Sequence, residues 1–168
     1  MSNLGDAYAA LGETKKAIEY CNQSLAIARE IGYPSLEGGI LVNFGKAYSA
    51  LGENSKAIEY YRKSLEIVCK IRDRRTESEA LCNLGKAYID LGFANKAIDY
   101  CEQSLEIARE IEYRQVEADS LFNMSLALNK LSQRQEAIDN AKAALEIFEQ
   151  IESPKSEEAR QKISEWQE

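Results

Sequence analysis

The sequence repeats itself every 40 residues. The stretch NFGKAYSALGENSKAIEYYRKSLEI at residues 43–67 returns as NLGKAYIDLGFANKAIDYCEQSLEI at residues 83–107. Weaker copies precede and follow these two, so one position of the repeat holds Leu4, Phe44, Leu84 and Met124. Repetition at this period predicts an array of similar supersecondary units, because a single unit cannot bury its own apolar face.

Each unit is predicted to be a pair of antiparallel helices. Leu4, Tyr8 and Leu11 are spaced i, i+4 and i+7, which places them on one face of a helix. A short turn follows, and then a second apolar helix of about 18 residues folds back on the first. The glycines predicted to end the first helices with positive φ are Gly12, Gly52 and Gly92.

Two further positions of the repeat predict how the helices pack. Glycine inside a first helix, as at Gly45, costs about 1 kcal/mol relative to alanine, which we interpret as close approach of two backbones. A position in the second helix varies in size and chemistry, and holds Cys21, Tyr61, Cys101 and Ala141. We expect packing there, not redox or metal chemistry. The chain has no histidine and no CxxC spacing, so no cofactor or metal is expected and the cysteines are predicted to be reduced.

The two ends of the array differ from its middle. The last segment, SPKSEEARQKISEWQE, predicts a capping helix with Ser153 as N-cap and Pro154 at the first helical position. Its apolar residues Ala159, Ile163 and Trp166 are expected to seal the core. The first helix of repeat 1 is short, so apolar surface is expected at that end. The predicted organisation is one solenoid over residues 1–168: truncated repeat 1 (1–32), repeat 2 (33–72), repeat 3 (73–112), repeat 4 (113–152) and a capping helix (153–168).

Composition argues against several classes of function. A net charge of -7 and a pI near 4.9 disfavour a nucleic-acid partner, and we interpret the basic run at 72–75 as a solvated turn. The sequence shows neither a membrane-spanning segment nor a signal peptide, so we expect a cytoplasmic protein without a membrane partner. Without histidine, a phosphate-binding glycine loop or a nucleophile elbow, it is not expected to be an enzyme.

The motif Leu-Gly-x-x-Tyr, a second glycine and then alanine, seen in NLGDAYAALGETKKAIEY at residues 3–20, resembles the tetratricopeptide repeat. The 40-residue period is similar to the long repeats of Pins/LGN-type adaptors and of kinesin light chains. This resemblance implies an all-α fold, a right-handed superhelical α-solenoid of about four antiparallel helix pairs and a C-terminal capping helix. It also implies that the first helices line a concave groove that holds a peptide or a partner protein.

Asparagine occupies the same position in every copy, at Asn3, Asn43, Asn83 and Asn123. It lies roughly 120° from the core stripe of the first helix, and is therefore flanking or exposed. Packed helices lie about 8–10 Å apart, so one amide would meet about every third residue of an extended peptide. We hypothesise that these asparagines bind the main chain of a ligand. The alternative is that each one bonds to a neighbouring helix and fixes the repeat geometry.

Other positions expected to face the groove vary between copies, as specificity would require. They are Val42, Lys46, Glu79, Cys82, Lys86, Asp119, Phe122 and Leu126. Mixed charge in the middle and an apolar patch toward the C-terminal end favour an acidic-plus-hydrophobic extended segment. The alternative is that the lysines only solvate the surface. The family's carboxylate clamp is not predicted, because Ser2, Asp6, Phe122 and Leu126 stand where its cations belong. A second hypothesis is self-association into a homo-oligomer through the exposed N-terminal end.

Overall fold

The computed structural model describes residues 14–168, which form eight α-helices and no strand. The predicted first helix of repeat 1 and its cap Gly12 lie outside these residues. The helices are α1 (Thr14–Glu30), α2 (Pro34–Ala50), α3 (Asn54–Ile71), α4 (Arg74–Asp90), α5 (Ala94–Glu110), α6 (Arg114–Lys130), α7 (Arg134–Gln150) and α8 (Lys155–Gln167).

The described helices stack in chain order into an α-solenoid, as predicted. Each helix packs against the next one, and the first helices of neighbouring repeats, α2 with α4 and α4 with α6, also touch directly. The apolar stripe of each helix explains this order, because it is buried only when a helix lies between its neighbours. The second helices are 17 or 18 residues long, close to the predicted length. No helix within residues 14–168 is both long and apolar enough to cross a bilayer.

The turns recur with the period of the sequence. Gly52 and Gly92 have φ of 75° and 83°, which confirms them as left-handed caps, and Ser132 adopts φ 62° at the same position of repeat 4. The second helices also end in a left-handed residue. These residues are Gly32, Arg72, Glu112 and Glu152.

The glycines inside the first helices make room for a side chain of the second helix. A Cβ at Gly45 would overlap the ring of Tyr61, and a Cβ at Gly85 would overlap the Sγ atom of Cys101. The expected backbone–backbone approach is therefore wrong at Gly45, where the nearest atoms belong to a side chain. The packing role of the variable position is confirmed, since all four of its residues are buried: Cys21, Tyr61, Cys101 and Ala141.

Helix α8 closes the C-terminal end of the stack. It begins at Lys155, one residue later than predicted, and the Oγ atom of Ser153 accepts a hydrogen bond of 3.4 Å from the main-chain nitrogen of Lys155. Ile163 and Trp166 join a core cluster with Leu128, Ile138 and Ala141. Ala159 is also buried, so the capping role of this helix is confirmed.

The basic run at 72–75 is more than a solvated turn, which corrects that interpretation. Asp73 caps α4 by accepting a 3.1 Å hydrogen bond from the main-chain nitrogen of Thr76, and the hydroxyl of Ser35 in α2 donates to its carboxylate at 2.6 Å. Arg74 forms ion pairs with Glu77 at 3.0 Å and with Glu110 of α5 at 2.6 Å. Side chains from this segment therefore join α2, α4 and α5.

Candidate functional site

A cavity of about 660 Å³ runs along α2, α4 and α6 and reaches the start of α8. We call it the groove. Every residue expected from the sequence to face it lies along it, except Asn3 and Val42. The predicted residues that line it are Asn43, Lys46, Glu79, Cys82, Asn83, Lys86, Asp119, Phe122, Asn123 and Leu126.

The two exceptions have different reasons. Asn3 lies outside the described residues. Val42 does not reach the groove, because its side chain is buried in a core cluster with Tyr61, Ala80 and Leu84. Cys82 and Phe122 occupy the same position in the next two repeats and are also largely buried, yet both line the groove.

The groove extends one helical turn further than the sequence analysis predicted. Its additional lining residues are Gly39, Arg75, Tyr113, Gln115, Val116, Lys155 and Glu158. Arg75, Gln115 and Lys155 are spaced 40 residues apart and lie four residues before the positions of Glu79, Asp119 and Ala159. Extending the i, i+4 pattern of the groove face backward by one turn would have found them.

The two carboxylates in the middle of the groove are already engaged by other groove residues. The hydroxyl of Tyr113 donates to Glu79 at 2.7 Å, and Arg75 stacks 4.2 Å above the ring of Tyr113. Burial and the hydrogen bond to Glu79 raise the pKa of Tyr113 to about 12, so its hydroxyl remains a donor at neutral pH. Asp119 pairs with Lys155 at 2.7 Å and accepts from Gln115 at 3.2 Å.

The two lysines predicted to face the groove differ in exposure. Lys86 is exposed and forms no hydrogen bond or ion pair with any residue of 14–168. Asp90, one helical turn further along α4, forms no ion pair with it. Lys46 is half-buried and lies at the same position one repeat earlier. A smaller cavity of about 240 Å³ shares Lys46, Asn83 and Lys86 with the groove and is also lined by Tyr61 and Asp90.

The asparagines line the groove but differ in their bonding. Asn123 is buried, and its Nδ2 atom lies 3.4 Å from both the main-chain oxygen and the Sγ atom of Cys82 on the preceding first helix. The Nδ2 atom of Asn83 donates to the main-chain oxygen of Glu79 in its own helix at 2.7 Å. Asn43 is half-buried. Asn123 thus bonds to a neighbouring helix, as the alternative hypothesis of a role in repeat geometry expects. Asn83 bonds within its own helix, and its Oδ1 atom and second N–H remain for other partners.

The buried thiol of Cys82 lies within 3.4 Å of the Nδ2 atom of Asn123. Burial, with a smaller contribution from the charge of Asp119, raises its pKa to about 12. The thiol is therefore protonated at neutral pH, and it is a poor nucleophile and metal ligand in that state.

Stacked helical hairpins around one open groove define a helical-repeat scaffold. The chain belongs to the tetratricopeptide repeat family, whose pattern it matches over residues 1–70 and 76–150. The fold of this family is that of a protein–protein interaction scaffold. No curated protein sequence matches the chain.

Solved structures share the fold at low sequence identity. A Rap protein complexed with competence and sporulation factor superposes with a TM-score of 0.86 at 18% identity, covering 96% of this chain and 46% of the Rap protein. BtubC (BKLC) from P. vanneervenii gives a TM-score of 0.75 at 22% identity, covering 88% and 60% of the two chains. The nearly identical TPR-like repeats of a putative kinesin light chain from Podosopora anserina give 0.74 at 19% identity, covering 98% and 82%. The chain thus spans less than two thirds of the Rap and BtubC chains.

Proposed function

We propose that this chain is a non-catalytic interaction scaffold whose groove binds an extended peptide or partner segment, and that it acts in the cytoplasm. The observation that carries the proposal is that three successive first helices bring equivalent positions to one continuous groove of about 660 Å³. A groove of this kind offers a regular row of polar contacts to a main chain and variable contacts to side chains. The complex of a Rap protein with competence and sporulation factor supports a binding role for this fold.

The chemistry of the groove supports binding more than catalysis. Glu79 and Asp119 are engaged in hydrogen bonds and an ion pair with other groove residues, and the Cys82 thiol is protonated. A general base or nucleophile would need a perturbed, accessible group. Aspartyl phosphate phosphatase F from Bacillus subtilis has a similar structure, but at 16% identity this similarity shows only a shared fold.

The experiment that tests the proposal separates ligand affinity from stability. A random dodecapeptide display library is selected on the wild-type protein, and the recovered peptides are measured against Asn43→Ala, Asn83→Ala and Lys86→Glu. We expect weaker binding to these variants at unchanged melting temperature, because the three side chains lie at the groove surface. Lys70→Glu changes an exposed lysine of α3 outside the groove and serves as the matched control.

One result would contradict the proposal, and a second would assign the asparagines to the repeat geometry. Selected peptides that bind all variants equally would place the binding surface elsewhere. If Asn43→Ala and Asn83→Ala lower the melting temperature without changing affinity, the asparagines serve the repeat geometry and not the ligand.

Self-association is the second candidate function, and one observation favours it. At the N-terminal end of the described stack, Ile27, Ile31 and Tyr33 are 47%, 61% and 56% exposed. The equivalents of Ile27 are half-buried in repeat 2 (Ile67) and buried in repeats 3 and 4 (Ile107 and Ile147). Light scattering over a concentration series tests this candidate. A monomer at all concentrations argues against it, and a dimer dissociated by Ile27→Ser with Ile31→Ser argues for it.

A further inference from the structure

The groove also carries information on the shape and sequence of its ligand, an inference that rests on the proposed function. We propose that the bound segment is a polyproline-II-like peptide. It places an acidic side chain on Lys86 and an apolar side chain, three residues away, on the patch formed by Phe122 and Leu126.

The acidic preference follows from which groove charges are already neutralised. Arg75 lies 3.9 Å from Glu79 and stacks on Tyr113, and Lys155 pairs with Asp119 at 2.7 Å. Lys86 has no such partner within residues 14–168 and is exposed. An acidic ligand side chain is therefore complementary to the groove at Lys86, where it gains an ion pair without breaking one.

The apolar preference lies one repeat further along the groove. Leu126 occupies in α6 the position that Lys86 occupies in α4, and Phe122 lies one turn before it. The ring of Phe122 packs edge-on against Phe148 with centroids 6.2 Å apart, so Phe122 joins the core to the groove surface. Glu158 lines the same end of the groove and disfavours an acidic side chain there. The charges thus favour a ligand whose acidic side chain lies at Lys86 and whose apolar side chain lies at Leu126.

The three-residue spacing between the acidic and the apolar side chain of the ligand follows from the contact between the first helices α4 and α6. The amide of Asn123 reaches the main chain of Cys82, so α4 and α6 are packed together at this level of the groove. Equivalent positions on packed helices are separated by about 8–10 Å. A polyproline II helix repeats its side-chain direction every three residues, over about 9.3 Å. A β-strand returns to the same face after about 6.7 Å, or after about 13 Å, and neither distance fits.

The backbone of such a ligand also suits the asparagines. A polyproline II segment has no internal hydrogen bonds, so its free N–H and C=O groups are available to side-chain amides. Asn83 lies three residues before Lys86 on α4, and its Oδ1 atom and second N–H remain available beside the hydrogen bond to Glu79. In this proposal the asparagines bind the main chain of the ligand, and the distance between Lys86 and Leu126 selects the spacing of its side chains.

Fluorescein-labelled peptides with one Glu and one Leu in a proline-rich background test the spacing. Three peptides place Leu two, three or four residues from Glu, and a fourth replaces Glu by Gln at spacing three. We expect the peptide with spacing three to bind about threefold to fivefold more tightly than the other spacings, as for a partly exposed ion pair combined with one apolar contact. The difference between Glu and Gln should disappear in Lys86→Ala and persist in Lys70→Ala.

The outcomes distinguish this inference from the proposed function. Equal affinities at the three spacings, or a Glu preference that survives in Lys86→Ala, would overturn the inference. If the display library yields groove-dependent binders without the three-residue spacing, the inference fails and the proposed function stands. A library that yields no groove-dependent binder contradicts both.

Discussion

Gly45 and Gly85, inside the first helices of repeats 2 and 3, each share one packing space with a residue of the second helix. Gly45 leaves room for the ring of Tyr61, and Gly85 leaves room for Cys101. In repeat 4 the same two positions hold Ser125 and Ala141, so a larger residue on one helix accompanies a smaller one on the other. Because interiors are close-packed, the pair and not either residue alone sets how closely the two helices approach.

We predict that Gly45→Ala destabilises the protein by about 1–3 kcal/mol, because the new methyl group overlaps the buried ring of Tyr61. Gly39→Ala in the same helix is the control. A Cβ there meets nothing within 4 Å, so the better helix propensity of alanine should stabilise the protein by up to about 1 kcal/mol. Chemical denaturation of both variants checks the prediction, and equal effects of the two substitutions would contradict it.

At single positions, the sequence predicts which residues lie along the groove better than it predicts their burial and bonding. The 40-residue alignment predicts which residues share a position, and Asn43, Asn83 and Asn123 all line one groove in the structure. It does not predict that Val42 is buried while Cys82 and Phe122 reach the groove, because that depends on the packing around each position in three dimensions. It also leaves the bonding of each asparagine open, since Asn123 and Asn83 choose partners on different helices.

At the scale of the helix, the caps hold the repeats in register, and their residues vary more than their geometry. The first helices end in a left-handed residue that is glycine at 52 and 92 but Ser132 in repeat 4. A residue with a Cβ in this conformation costs about 1–2 kcal/mol, whereas glycine adopts it freely. The helices and their antiparallel order were predictable from periodicity, but the left-handed caps at Arg72, Glu112 and Glu152 carry no glycine signal and were not.

We therefore predict that Ser132→Gly stabilises the protein by about 1 kcal/mol, because it removes the left-handed strain at φ 62°. The reciprocal change Gly92→Ser, at the same position one repeat earlier, should destabilise by a similar amount. Thermal unfolding of the two variants beside the wild type measures both effects. A lower melting temperature for Ser132→Gly would show that its side chain makes a contact that outweighs the strain.

The N-cap of α4 predicts a specific pH dependence. Burial alone would raise the pKa of Asp73, but hydrogen bonds from Ser35 and Thr76 outweigh it and hold the pKa below its usual value. Its stabilising effect is then fully present above the unfolded pKa, near 3.9, and is lost as pH falls through the lower folded pKa. We expect Asp73→Ala to cost about 1 kcal/mol at neutral pH and less in acid.

Asp73→Asn is the control for this prediction, since asparagine caps a helix about as well as aspartate and does not titrate. Its stability relative to the wild type should improve as pH falls below about 4. Urea unfolding between neutral pH and acid measures the difference. A cost of Asp73→Ala that stays constant over this range would show that the carboxylate does not titrate with folding.

At the scale of the whole molecule, residues far apart along the described chain meet only through neighbouring helices. The main contacts join each helix to the next and each first helix to the first helix of the adjacent repeat, and the ion pair of Asp119 with Lys155 joins α6 to the capping helix α8. The stability of such an array is close to a sum of repeat terms and nearest-neighbour interface terms. A groove built across α2, α4 and α6 therefore depends on the interfaces between repeats, and it should loosen where an interface is weakened.

We predict that Trp166→Ala, on the inner face of the cap, loosens the C-terminal repeat more than the rest. Trp166 and Ile163 pack with Leu128, Ile138 and Ala141 of α6 and α7, so removal of the indole should cost about 3 kcal/mol at that interface. Because coupling is between neighbours, amide hydrogen exchange should accelerate in α6 to α8 and change little in α2 and α3. Uniform acceleration throughout α2 to α8 would contradict this prediction and show that the stack unfolds as one cooperative unit. Gln167→Ala, an exposed neighbour in the same helix, is the control and should leave exchange unchanged in every helix.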